Sequence, residues 1–271
     1  MSDSNPVVTP LEAGHILTKD MSPISQQEID EMRNIPYQNA VGSIIYACQG
    51  TRPDLAHAVG MISRFNSNPG KEHWKAVKRI FRYLKGTINL GLEYSKKAEQ
   101  DIIGFADANW ASDLDLRRST TGYAFILQGA AMSWNSKRQP TVALSTTEAK
   151  YMALASATQE TVWLRGLAKE IGLNTNKPTT IYCDNRSAID LSQNANYSAR
   201  TKHIDTKHHF IKDKIKEGQI KLIHIPTAEM PADMLTKALT NVKLQKCNEK
   251  LGLRFVNKSI SSEGVKIDDF D

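Results

Sequence analysis

The spacing of hydrophobic positions predicts a helical first part of the chain. Between Tyr37 and about Thr87, apolar residues recur every three or four positions, which is typical of helices with one buried face. The clearest example is KEHWKAVKRIFRYLKGT, which Gly86 is placed to end, and whose apolar face consists of Trp74, Val77, Ile80, Phe81 and Leu84. Residues 1–36 are polar and interrupted by prolines, so we predict an extended arm there, followed by a helical segment over residues 37–95.

Beyond about Leu92 the pattern changes to short β-type runs separated by turn residues. It predicts five strands, at Ile102–Ala106, Gly122–Leu127, Ala131–Trp134, Thr179–Cys183 and Ile220–Ile225. It also predicts four helices, at Thr146–Ile171, Arg186–Ser192, Ile204–Glu217 and Ala232–Leu239. Three adjacent strands, a helix and then alternating strands and helices indicate an α/β domain over residues 96–240, with a mixed sheet covered by helices. We predict a frayed polar tail over residues 241–271.

Composition narrows the class of protein. The chain is 40% hydrophobic and 24% charged, which is ordinary for a globular protein, and no run approaches the ~18 apolar residues of a membrane span. Three cysteines, Cys48, Cys183 and Cys247, are too few and too widely spaced for a disulfide framework, so we expect reduced thiols. The net charge of +6 favours an anionic partner, although lysine-rich segments such as 71–85 and 202–221 also fit solvated helix faces.

Four acidic residues occupy positions that would bring them together. Asp107 and Asp184 end predicted strands, Glu148 lies in the first turn of the long helix, and Asp233 starts the last one. Strand ends and helix starts meet at the edge of an α/β sheet where a crevice usually lies. Converging carboxylates repel one another unless cations intervene, and Mg²⁺ prefers oxygen ligands. Two such ions about 3.5–4 Å apart can promote phosphodiester hydrolysis.

Each of these residues also has a simpler structural interpretation. Glu148 follows Ser145 by three positions, as in a helix capping box. Asp107 and Asp184 could form turns, and Asp233 could complement a helix dipole. For each acidic residue considered alone, the structural role is the better explanation. For the four residues considered together, in this order along the chain, a metal site is the better explanation.

The same residues carry a resemblance to a known family. The stretch from FADANW through LSTTEAKYMAL, followed by IYCDNRSAIDLSQN, RTKHIDTKHHFIKDKI and HIPTAEMPADMLTKAL, resembles the ribonuclease H domain of copia-type retrotransposon polyproteins. Upstream, YQNAVGSIIYACQGTRPDLAHAV and KRIFRYLKGT are similar to the segment that joins polymerase to nuclease in these polyproteins. The resemblance covers nearly all of the chain except about the last thirty residues.

The resemblance implies a ribonuclease H-like fold, with a five-stranded mixed sheet flanked by helices. It implies two Mg²⁺ ions, with Mn²⁺ as an alternative, held by Asp107, Glu148, Asp184 and Asp233. The implied activity is endonucleolytic hydrolysis of the RNA strand of an RNA–DNA hybrid, with the reverse transcriptase portion of the same polyprotein as a partner. The implied location is the cytoplasm, in retroelement particles, with the nucleus as an alternative and no membrane association. We expect no polymerase activity from this chain alone.

Further candidates surround the acidic set. Ser145 and Asn185 are polar neighbours that could contact sugar or phosphate. A basic cluster suits phosphate contact better than metal binding, with a solvent-facing helix side as an equal alternative: Lys202, His203, Lys207 and His208. Trp110 and Trp134 could stack on a base, although aromatic residues beside strands more often belong to the core.

Two rival functions stay open at this stage. An integrase-type core would use Asp107, Asp184 and Glu217, but it leaves Glu148 and Asp233 without a role. The other rival is a catalytically inert remnant that binds nucleic acid or supports a polymerase. Metal-dependent cleavage separates the enzyme from the inert module.

Overall fold

The first part of the chain contains a helix within the arm that the sequence predicts to be extended. A computed structural model describes residues 3–99, 101–193 and 205–256. Within the arm predicted as extended over residues 1–36, α1 spans Gln26–Arg33. Ser25 starts it with a capping box, in which its hydroxyl accepts from the Glu28 amide and the Glu28 carboxylate accepts from the Ser25 amide. The prediction of an extended arm is therefore wrong for this stretch, because local capping starts a helix where apolar periodicity is weak.

The predicted helical segment follows as three α-helices and two short 3-10 turns. The helices are α2 (Tyr37–Thr51), α3 (Ala56–Ile62) and α4 (Lys71–Gly86). The 3-10 turns span Pro53–Leu55 and Ser63–Phe65. Proline suits the first of these turns because a missing N–H costs nothing at a helix start.

A five-stranded mixed sheet forms the centre of the molecule. Its strands are β2 (Ile103–Asn109), β3 (Thr120–Leu127), β4 (Ala130–Arg138), β5 (Thr179–Cys183) and β6 (Ile220–His224), in the spatial order β4-β3-β2-β5-β6. β2, β3 and β4 are antiparallel, whereas β2, β5 and β6 are parallel. The accompanying helices are α5 (Thr146–Glu170), α6 (Arg186–Gln193) and α7 (Asp205–Lys216). The predicted α/β class, with a ribonuclease H-like mixed sheet preceded by a helical segment, is confirmed.

Each face of the sheet is covered by its own hydrophobic core. Along β3, Ala124 and Ile126 join the core that includes the buried side chains of α2, α3 and α4, while Tyr123 and Phe125 join the core beneath α5, α6 and α7. This alternation is the period of two that a strand imposes on its side chains. The helical segment therefore packs against the sheet and shares a core with it.

The end of the chain departs from two predictions. The helix predicted at Ala232–Leu239 is a 3-10 turn at Pro231–Leu235, preceded by another at Thr227–Glu229. The tail predicted to fray over residues 241–271 includes α8 (Asn241–Lys250) and β7 (Leu253–Phe255), and β7 pairs with β1 (Leu90–Leu92). Burial of apolar side chains on α8 and β7 orders this part, mainly through Leu244, Cys247 and Leu253.

None of the helices in the described ranges is long and apolar enough to cross a bilayer.

Candidate active site

Asp107 and Asp184 lie level with each other on neighbouring strands at the centre of the sheet. β2 and β5 are parallel, and Phe105 pairs with Tyr182 in their register. Continued by two residues, the same register places Asp107 beside Asp184, which directly follows β5. The sequence pattern predicted that these two aspartates meet at strand ends. Asp184 does follow the end of β5, whereas Asp107 lies within β2, which continues to Asn109.

A lysine lies between the two carboxylates. The Nζ of Lys150, on α5, is 3.0 Å from Oδ1 of Asp107 and also contacts Oδ1 of Asp184. The second oxygen of each carboxylate is held by a threonine: the Thr236 hydroxyl donates to Asp107 Oδ2 at 2.7 Å, and the Thr227 hydroxyl donates to Asp184 Oδ2 at 2.8 Å. The two acids therefore share one ammonium group, and each has one hydroxyl of its own.

This group is almost closed to solvent. The side chains of Asp107 and Asp184 are 1% and 2% exposed, and that of Lys150 is 16% exposed. Burial opposes ionisation of Asp107, but the Lys150 charge and the Thr236 hydroxyl outweigh it and hold the pKa of Asp107 below its ordinary value. Burial likewise opposes the charge on Lys150, but Asp107 and Asp184 outweigh it and raise the lysine pKa. The charged forms of Asp107 and Lys150 therefore support each other.

Asp233 adds a third buried carboxylate, next to Asp107. It lies on the Pro231–Leu235 turn, and the Thr236 hydroxyl that donates to Asp107 also contacts the Asp233 carbonyl, at 3.1 Å. The Asp233 carboxylate is fully buried and bound by two lysines, with Lys237 Nζ 2.9 Å from Oδ1 and Lys243 Nζ in contact with Oδ2. Burial and the Asp107 charge raise the pKa of Asp233 despite these lysines.

Glu148 is directed elsewhere. Its Oε2 accepts a hydrogen bond from the Leu144 amide at 2.7 Å, and its own amide donates to the Ser145 hydroxyl at 3.1 Å. Ser145 therefore caps α5 as in the predicted capping box, but the Glu148 carboxylate accepts from the Leu144 amide instead of the Ser145 amide. Residues two apart on an α-helix point about 200° apart, so with Lys150 facing the aspartates Glu148 cannot face them as well.

The arrangement does not fit the metal ions that the resemblance implies. In its favour, Oδ1 of Asp107 and Oδ1 of Asp233 are buried carboxylate oxygens whose contacts to Lys150 and Lys237 lack good hydrogen-bond geometry. Against it, the carboxylates of Asp107, Asp184 and Asp233 each already contact an ammonium group. Across residues 3–99, 101–193 and 205–256, no three His, Cys, Asp or Glu residues are grouped so as to hold a metal ion. We therefore derive no catalytic step through a metal from this geometry.

The other candidates have mostly structural contacts. Ser145 caps α5, and Asn185 Oδ1 accepts from the Ala188 amide at 2.8 Å, which caps α6. Glu217 is exposed just after α7, and within the described part of the chain its side chain contacts Lys214 and Gln219 and not the aspartates, so the integrase-type set is not assembled. Lys202 and His203 lie outside the described residues, and Lys207 and His208 are described only as backbone positions of α7.

The two tryptophans differ in their surroundings. Trp110 is 47% exposed and donates its indole N–H to the Ala143 carbonyl at 2.9 Å. Trp134 is partly buried and packs against the core shared with the helical segment. Of these two tryptophans, Trp110 therefore has the ring that is exposed enough to stack on a base.

Sequence reasoning missed the basic and hydroxyl partners of the acidic set. These are Lys150, Thr227, Thr236, Lys237 and Lys243. The one available signal was their spacing from the acidic residues: Thr236 and Lys237 follow Asp233 by three and four positions, a spacing at which side chains on a helical turn meet. For Lys150 the sequence pattern offered no such signal.

Comparison with known proteins gives close relatives but no matching family model. The chain is 48% identical over 254 residues to a retrovirus-related Pol polyprotein from transposon TNT 1-94 of Nicotiana tabacum. The aligned residues make up 93% of this chain and 19% of that protein. It is 54% identical over 133 residues to secreted RxLR effector protein 161 of Plasmopara viticola, covering 49% of the chain and 94% of the effector. Among solved structures it is similar to LC11 ribonuclease H1, with 17% identity, a TM-score of 0.40, and coverage of 55% of this chain and 98% of that one.

The Pol similarity extends across both parts of the fold, the helical segment as well as the sheet domain, because it takes in 93% of the chain. The chain spans about a fifth of the length of this polyprotein. The chain belongs to the retrovirus-related Pol polyproteins of copia-type transposons.

Proposed function

We propose that this chain is the ribonuclease H module of a retrotransposon Pol polyprotein and that it binds RNA–DNA hybrids during reverse transcription. The observation that carries the proposal is the level placement of Asp107 and Asp184 on neighbouring central strands of a sheet with this topology. Family membership and the net charge of +6 support a nucleic-acid partner. The reverse transcriptase portion of the same polyprotein is the proposed protein partner, and retroelement particles in the cytoplasm are the proposed location.

The proposed reaction of this class of site is hydrolysis of the RNA strand, for which a bound divalent metal ion would supply water activation and charge neutralisation. A second candidate function is favoured by a specific observation. The ammonium group of Lys150 contacts both Asp107 and Asp184, so the carboxylates that would take a metal ion are already paired. A module in this state would bind the hybrid without cleaving it. Binding and cleavage therefore need separate measurements.

Hybrid binding is measured first, by fluorescence anisotropy of a labelled RNA–DNA duplex in EDTA. We expect binding that weakens with increasing salt, because phosphate contacts release counterions. Arg186 is exposed at the start of α6, two residues after Asp184, and Arg186→Gln should weaken binding and lower the salt slope by about 0.9. The matched control is Lys169→Gln, at an exposed position at the far end of α5, and it should leave both binding and the salt slope unchanged.

Cleavage is measured on the same hybrid with Mg²⁺ added. RNA-strand products that disappear with EDTA and with Asp107→Asn would establish the enzyme. A folded protein that binds the hybrid and yields no product would support the second candidate. A folded protein that does not bind the hybrid at low salt would refute the proposed function altogether.

A further inference from the structure

We infer that Lys150 is a built-in cation that takes the place of a metal ion in the carboxylate site, and that this lysine keeps the chain from Mg²⁺-dependent cleavage. The choice of hybrid as substrate rests on the proposed function, whereas the metal-binding part of the inference stands on the structure alone. Its basis is the contact of one ammonium group with Asp107 and Asp184 at once.

Charge balance is the first argument. The three buried aspartates carry three formal negative charges, and three lysines contact them: Lys150 between Asp107 and Asp184, and Lys237 and Lys243 on Asp233. These formal charges cancel. A divalent ion that entered the group would leave an excess of positive charge in a buried place, which is unfavourable where the dielectric constant is low.

Access is the second argument. Asp107, Asp184 and Asp233 have side chains that are at most 2% exposed, so a hydrated ion cannot reach them while the lysines remain. Mg²⁺ gives up its water reluctantly and requires several oxygen ligands in octahedral positions. Lys150 would have to leave first, and its departure would leave two buried carboxylates without the cation that they share.

The reach of α5 is the third argument. Position 150 is the helix position whose side chain reaches Asp107 and Asp184, whereas Glu148 points about 200° away and caps the helix. A carboxylate at position 150 would therefore complete a group of three acidic side chains. Lys150→Glu should therefore convert this ion-pair site into one that can hold a metal ion.

The test compares four proteins of full length: the natural chain, Lys150→Glu, Lys150→Gln and the control Lys169→Glu. The control makes the same charge reversal on an exposed position of the same helix. The first readout is the thermal unfolding midpoint with and without MgCl₂. The inference requires Mg²⁺ to raise the midpoint of Lys150→Glu by several degrees and to restore part of the stability lost in Lys150→Gln. The natural chain and Lys169→Glu should show no such rise.

The second readout is cleavage of the RNA–DNA hybrid. We expect Mg²⁺-dependent RNA-strand cleavage by Lys150→Glu, abolished by a further Asp107→Asn change, and none by the natural chain. The inference would be overturned if Mg²⁺ stabilised the natural chain and Asp107→Asn removed that stabilisation. Cleavage of the hybrid by the natural chain would overturn it as well. Absence of Mg²⁺ stabilisation in both Lys150 variants would overturn it as well.

The two proposals fail in different ways. If Lys150→Glu binds Mg²⁺ and no protein of the set binds the hybrid, the inference about Lys150 holds and the proposed function is wrong. If all proteins bind the hybrid and neither Lys150 variant responds to Mg²⁺, the proposed hybrid binding holds and the inference about Lys150 is wrong. Should Lys150→Glu fail to fold in the absence of metal, the Mg²⁺ response of Lys150→Gln decides the matter.

Discussion

Gly122 lies directly opposite Asp107 in the β2–β3 ladder, and its missing side chain leaves the space in which the Asp233 turn packs. A Cβ atom at Gly122 would lie 2.7 Å from Leu235 Cβ and 2.7 Å from Thr236 Cγ2. Thr236 is the residue whose hydroxyl holds Asp107. One glycine thus allows the turn to approach the sheet closely enough to join Asp107 to Asp233.

Gly122→Ala should therefore destabilise the protein, by about 1–3 kcal/mol, because backbone and side chain of the turn must move to admit a methyl group. Gly166→Ala is the matched control, since a Cβ there meets no atom within 4 Å, and alanine in a helix is favoured over glycine by about 1 kcal/mol. Urea unfolding of both variants measures the two effects. Equal stability of Gly122→Ala and the natural chain would show that the turn does not depend on this contact.

The sequence predicted the parts of the fold that local pattern controls. The strand Thr179–Cys183 was predicted with the bounds that the structure has, because a short apolar run there is bounded by turn residues on both sides. β7 was missed because its partner β1 lies about 160 positions earlier in the chain, and a local sequence pattern cannot predict so distant a pairing. α8 was also missed, because its buried side chains are few in an otherwise polar run.

The acidic set was predicted in part for a related reason. Asp107 and Asp184 meet because parallel strands align their ends, which the order of elements reveals. The choice between Glu148 and Lys150 depends on how α5 is rotated about its axis, and its sequence does not reveal the rotation. Small and apolar residues are buried at nearly every position from Ala149 to Ala157, so no narrow stripe marks the side that faces the sheet.

A buried ion-pair network in the helical segment yields a prediction about stability. The Arg52 guanidinium donates two hydrogen bonds to the Asp54 carboxylate, at 2.9 and 2.7 Å, and Tyr83 donates a third at 2.7 Å. Asp54 has no exposed side-chain surface. Asp54→Ala should cost about 3–5 kcal/mol of the free energy of unfolding, because it leaves the Arg52 charge buried without its partner.

The exposed pair Lys75–Glu72 is the control for this measurement. Glu72→Ala should cost about 1 kcal/mol or less, because solvent screens an exposed pair. Both variants are compared with the natural chain by chemical denaturation. If the two substitutions had the same small effect, the buried network would have no special role in holding the helical segment together.

The core shared by the helical segment and the sheet leads to a prediction about truncation. Ala124, Ile126 and Leu235 are buried in the same core as the residues of α2, α3 and α4. A chain that starts at residue 96 would expose this apolar face to water, at a cost of about 25 cal/mol for each Å². We expect it to bind a hydrophobic dye and to lose its sharp thermal transition. A cooperative transition at the midpoint of the full chain would refute this expectation.

His57 should make the stability of the protein depend on pH between about 3 and 6.5. It is 8% exposed on α3, and its Nδ1 has no hydrogen-bond partner among the described residues. Burial, with a smaller effect of the Arg64 charge, lowers the pKa of His57 to about 3, whereas an unfolded histidine titrates near 6.5. Between these values the unfolded chain binds more protons than the folded one, so the folded state loses stability as the pH falls.

The contribution is therefore complete above pH 6.5 and is lost progressively as the pH falls towards 3. Lowering the pH from 7.5 to 5 should remove about 2 kcal/mol through this residue alone, with a slope that approaches about 1.36 kcal/mol for each pH unit below 6.5. The measurement is the free energy of unfolding of the natural chain and of His57→Gln at pH 5 and pH 7.5. Other groups titrate equally in both proteins, so the difference between them isolates His57. The natural chain should lose more stability at pH 5 than the variant does, and parallel losses in the two would show that His57 is protonated alike in the folded and unfolded states.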